Sequence, residues 1–163
     1  MSDWIDQKAA QIKRDQLEAA KDHDRRLHAV QIIRVRARDV LPHLEEIVRA
    51  DVEKWNALFQ GDESRTIDTV SKPIPSGFRI HKSHFPSATV DVDFDSDSLS
   101  LRVRITRRNM IRGEPYSRDE QIHVDVAADE TIFLTPHTSG KRISFADASR
   151  LILEAIIDQD SNF

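Results

Sequence analysis

The sequence predicts an α+β fold: a helical N-terminal region, a six-stranded and mainly antiparallel sheet, and a C-terminal helix packed on that sheet. Three observations carry this. Apolar residues recur every three or four positions up to Phe59 and every second position from Thr66 to Leu134. No helical pattern interrupts the strand-like stretch, so neighbouring strands follow one another as a meander. A final segment from Ser144 to Asp158 then returns to helical spacing.

With 163 residues the chain suits one domain. Residues 1–26 read as a helical arm, 27–60 as a core helix, 64–136 as the sheet and 144–158 as the last helix. About 39% of residues are apolar and 32% charged, enough for a core beneath a well-solvated surface. The formal net charge is −4, which gives no global attraction to nucleic acid or an anionic membrane. There is no cysteine, which excludes disulfides, thiolate metal sites and cysteine nucleophiles. The first 26 residues are charged throughout and do not read as a signal peptide, and no apolar run has the length of a membrane span. A soluble, cytoplasmic protein is expected.

In the helical region, Leu27, Val30, Ile33, Ala37, Val40, Leu41, Leu44, Ile47, Val48, Val52, Trp55, Leu58 and Phe59 form one stripe. Before Leu27 only Trp4, Ile5, Ile12 and Leu17 are large and apolar, among interleaved charges that favour helix without a tight packing face. A straight helix over 3–60 would be about 85 Å long, about twice the width of a compact domain of this size. The helix therefore breaks or protrudes. Pro42 and the polar run Lys21–Arg26 are the candidate breaks. The alternatives are two packed helices, or one kinked helix whose first half extends as an arm.

Strands are expected at Thr66–Ser71, Phe78–Lys82, Ala88–Phe94, Leu99–Thr106, Gln121–Val126 and Thr131–Leu134, separated by Pro, Gly and Asp-Ser turns. For the central hairpin, pairing Phe94 with Leu99 aligns Val92 with Leu101 and places Asp91 opposite Arg102. Ser144, with Asp147 three residues on, reads as a capping box for the last helix. A strongly curved sheet or partial barrel is the alternative architecture.

No motif specific to a chemistry is present. The four glycines form no phosphate-binding loop, and there is no nucleophile elbow. His81 and His84 lie three apart, on opposite faces of a strand, and His123 or His137 could join them only through tertiary structure. Asp91, Asp93 and Asp95 follow ordinary polar-outward alternation. No cofactor, metal site or catalytic residue is assigned.

Three functional readings remain, in this order. The first is a non-catalytic protein–protein interaction or assembly protein using the N-terminal helix, with Trp4, Ile5 and Ile12 as anchors for a protein partner or for self-association. The second is an anion- or nucleic-acid-binding module at Arg107, Arg108 and Arg112, in a connection longer than a typical hairpin loop. No aromatic platform accompanies these arginines, so nucleic acid is disfavoured. The third is an enzyme of unrecognised type; the sequence favours a non-catalytic protein over it.

Overall fold

A computed structural model of the chain describes residues 3–72, 77–108 and 114–158. The N-terminal region forms one helix, α1 (Asp3–Leu58), of 56 residues. It runs on through Lys21–Arg26 and through Pro42. The region is one helix and not two packed ones, and neither candidate break interrupts it. A proline inside a helix costs about 3 kcal/mol. Val40 and Leu44 on either side of Pro42 are both buried, and burying each contributes about 1.5–3 kcal/mol, so packing outweighs that cost.

Past Leu58 the chain turns at Gly61, whose φ of 90° lies in the region that glycine occupies without steric cost. A 3₁₀ turn (Glu63–Arg65) follows, its first residues capped by the Asp62 carboxylate accepting from the Ser64 N–H. The Asn56 side-chain amide donates to the Ile67 carbonyl and accepts from the Ile67 N–H, tying the end of α1 to the lead into the sheet.

The sheet has six strands: β1 (Asp68–Ser71), β2 (Phe78–Lys82), β3 (Ser87–Asp95), β4 (Ser100–Arg108), β5 (Tyr116–Val126) and β6 (Ile132–Pro136). They are ordered β1 to β6, every neighbouring pair antiparallel. β1 and β6 are the two edges, so the sheet is open and not a barrel. Helix α2 (Phe145–Ile157) closes the described chain. It starts at the expected capping box: the Ser144 hydroxyl accepts from the Asp147 N–H and the Asp147 carboxylate accepts from the Ser144 N–H.

Period-two alternation fixes the two faces of the sheet. The inner face carries Phe78, Ile80, Val90, Val92, Leu101, Val103, Ile122, Val124 and Leu134, all buried. Leu44, Val48 and Val52 of α1 and Ile152 and Ile156 of α2 cover it. The two helices are joined by the Ser149 hydroxyl donating to Asp51 at 2.8 Å. The apolar stripe of α1 packs from Ile33 onward, whereas Leu27, its expected first member, and Leu58, near its end, are exposed.

The β3–β4 register differs from the expected one by two residues. Phe94 pairs with Leu101, Val92 with Val103, and Asp91 with Arg104. A shift of two keeps every side chain on its face, so the apolar pattern alone cannot detect it. Turn chemistry decides the register. The Asp95 carboxylate accepts from the N–H groups of Asp97 and Ser98, and Leu99 adopts φ 49° as the last loop residue. The loop is thus 96–99 instead of 95–98.

On the outer face the shifted register aligns one charged row across four strands: Arg79, Asp91, Arg104 and Asp119. Arg79 grips Asp91 with two hydrogen bonds of 2.8 and 3.1 Å, and Arg104 grips Asp119 with two of 2.9 and 3.1 Å. Lys72 adds contacts of 2.7 Å to Asp91 and 3.1 Å to Asp93. β2 approaches β3 closely at its start. A Cβ on Gly77 would lie 1.8 Å from the Val92 carbonyl oxygen, and its φ is +121°.

Candidate interaction surface: the N-terminal arm

Between Trp4 and His28 every residue of α1 is exposed. Trp4 is 69% exposed, Leu17 57%, Ile5 53%, Leu27 51% and Ile12 47%, values foreign to side chains packed on their own domain. The span Trp4–Leu27 is about 36 Å long at 1.5 Å per residue, a rod standing clear of the sheet. It leaves the domain at Glu130, in the turn between β5 and β6. There Arg36 donates to the Glu130 carbonyl at 2.8 Å, and the His28 imidazole lies 3.6 Å from the Glu130 carboxylate.

The arm continues the helix of the packed half, but its apolar residues turn away from the buried stripe. Residues seven apart in a helix differ by only about 20° in direction. The drift accumulates: against Ile33, which is buried in the core, Ala19 is turned by about 40°, Ile12 by about 60° and Ile5 by about 80°. Gln16, His23 and Arg26 interrupt this face, and Leu17 lies away from it. The apolar part of the arm is concentrated in its first three turns, at Trp4, Ile5, Ala9 and Ile12.

The arginines singled out from the sequence do not form one cluster among the described residues. Arg107 follows the inward alternation of Val103 and Ile105, and its guanidinium donates twice to the Ala155 carbonyl of α2, at 3.1 and 2.8 Å. Arg108 is exposed on the outer face opposite Ser87. Arg112 lies outside the described residues.

Other cations of the outer face are engaged by carboxylates. Burial alone raises the Asp91 pKa, but hydrogen bonds from Arg79 and Lys72 and their charges outweigh it and hold Asp91 below the ordinary carboxylate value. Asp119 is lowered chiefly by its hydrogen bonds from Arg104.

The histidines separate. The His81 imidazole lies 3.6 Å from Asp68, and that of His84 lies 3.9 Å from Glu63. His123 and His137 do meet, with ring centroids 5.8 Å apart. Among the described residues no group of three or more His, Asp or Glu could hold a metal ion.

Hollows formed by described residues include two. One, of about 160 Å³, lies between Trp55, Arg65, Ile67, Lys82, Phe85 and Ile156. The other, of about 190 Å³, lies along α1 at His28, Gln31, Ile32, Val35 and Arg36. Both are below the roughly 300 Å³ at which small-molecule pockets begin, and neither is lined by His81, His84 or His123. Among the described residues no helix is long and apolar enough to cross a membrane. Comparison of the chain with protein-family models, curated proteins and solved structures finds no match.

Proposed function

We propose that this is a non-catalytic assembly protein whose α1 arm is the contact element, with a second copy of the chain as its partner. The observation that carries this is the exposed helix from Trp4 to Leu27, with Trp4, Ile5 and Ile12 as its apolar anchors. A helix exposed on all sides rests on propensity and on charge pairs along its surface. A long one with its apolar residues aligned gains stability when that line is covered.

Two features favour a second copy. Residues 3–26 hold six acidic side chains (Asp3, Asp6, Asp15, Glu18, Asp22, Asp24) and six basic ones (Lys8, Lys13, Arg14, Lys21, Arg25, Arg26), so two arms meet without net repulsion. The seven-residue recurrence of Ile5, Ile12 and Ala19 supplies one of the two apolar positions per heptad that a helix–helix seam uses. Gln16, His23 and Arg26 on the same face weaken such a seam, so the first three turns supply most of the attraction and the association is modest.

Anion binding at Arg107, Arg108 and Arg112 has less support, because Arg107 already serves α2. A cytoplasmic location belongs to the same proposal and rests on the cysteine-free sequence.

The test is solution mass by light scattering, for the full chain beside a chain starting at Arg26. An oligomer that becomes a monomer on truncation supports the reading. Two monomers over a wide concentration range remove self-assembly and leave a different protein with an apolar groove as the partner to seek.

A further inference from the structure

His123 and His137 are fourteen residues apart in sequence, yet the β5–β6 pairing makes them neighbours on the outer face of the sheet. His123 sits on β5 opposite Thr135, and His137 follows β6 with its backbone N–H donating to the Gln121 carbonyl at 2.8 Å. The backbone therefore fixes both positions. The ring centroids are 5.8 Å apart and the ring planes are inclined at 62°.

This spacing suits a shared ion. A ligating imidazole nitrogen lies about 2.0–2.1 Å from a divalent transition metal, which places the ring centroid about 3.2 Å from it. Two rings on one ion then have centroids at most about 6.4 Å apart. The observed 5.8 Å falls within that limit. His81 on β2 and His84 in the β2–β3 connection are not so placed, since each faces a single carboxylate, Asp68 and Glu63 respectively.

We propose that His123 and His137 form a two-imidazole site for a divalent transition cation on the outer face of the sheet, joining β5 to the end of β6. With no third His, Asp or Glu in place among the described residues, solvent completes the coordination and the ion exchanges readily. Nitrogen ligands of this kind bind Cu(II) more tightly than Zn(II) or Ni(II). The ion acts as a fastener for the β6 edge, because binding only the folded state stabilises it by mass action.

The test titrates Cu(II), then Zn(II), into the full chain. The histidine ring resonances are followed by NMR and the affinity by calorimetry. His123 and His137 should broaden first with Cu(II). His123→Ala and His137→Ala should each weaken binding by about tenfold or more, with the far-ultraviolet spectrum showing that each variant is folded. A double His81→Ala/His84→Ala variant should bind as the parent does. Broadening spread evenly over all seven histidines, or an affinity unmoved by His123→Ala, would mean an adventitious ion only and would overturn the site.

Discussion

Deleting the arm should leave the domain as stable as before while removing a third of the helix. In a chain starting at Arg26 the described α1 loses residues 3–25, and these include no buried side chain among those described. No apolar surface is uncovered, so the unfolding free energy of the domain should change by no more than about 0.5 kcal/mol. α1 and α2 together hold 56 and 13 helical residues, of which 23 precede Arg26, so the helical signal at 222 nm should fall by about one third.

Urea unfolding measures both quantities. The shorter chain has one further advantage: of the two tryptophans, Trp4 is lost and Trp55 remains, half-buried and donating its indole N–H to the Arg65 carbonyl at 2.8 Å. Its fluorescence then reports only on the domain. The denaturant slope should also hold, since it scales with the surface exposed on unfolding. A loss above about 1.5 kcal/mol would show that the arm packs on its own domain. An unchanged 222 nm signal would show that the arm is not a helix when unpartnered. Either result refutes the reasoning behind a free-standing contact element.

Two further substitutions probe the supports of the sheet. Asp91→Asn should cost about 1–2 kcal/mol at neutral pH by weakening the contacts with Arg79 and Lys72, discounted for the exposure of Arg79. Because the Asp91 pKa is lowered in the fold, its contribution is fully present above the unfolded value of about 3.9 and is lost as the pH falls through the folded one. Parent and variant should therefore converge in acid, and urea midpoints at pH 7, 4 and 2.5 that stay equally separated would contradict the pairing. Arg107→Ala should cost about 1–3 kcal/mol by freeing the Ala155 carbonyl, with Arg107→Lys recovering part of it. An unchanged melting temperature for Arg107→Ala would mean that α2 does not need that support.

Much of the fold was legible because the apolar period changes from 3.6 to two past Gly61 and back at Ser144. All six strands and both faces of the central hairpin follow from that alternation. Its exact register does not, because a slip of two preserves the faces and the decision rests with the Asp95 carboxylate and the backbone of Leu99. The first half of β5, Tyr116–Glu120, was illegible for another reason. There the hairpin outruns the helices and most residues on both faces are exposed, so no apolar alternation marks a strand, although it pairs with Val103–Arg107.

The charge of Arg107 groups it with a loop, while its place in the alternation Leu101, Val103, Ile105, Arg107 points it toward the helices. The meeting of His123 and His137 depends on the β5–β6 register, which no local pattern in the sequence reports.

The order of α1 before the sheet and α2 has a consequence for the newly made protein. Its stripe of Val40, Leu44, Val48 and Val52 is complete when Leu58 leaves the ribosome, but α2, which helps to cover the same core, ends at Ile157. At 5–20 residues per second, the 99 residues between them take roughly 5–20 s to synthesise. The meander shortens that exposure, because each hairpin can form beside the last as it emerges, with contacts close in sequence. During that interval the apolar line of α1 lacks its α2 cover, and that is when a chaperone has most to hold.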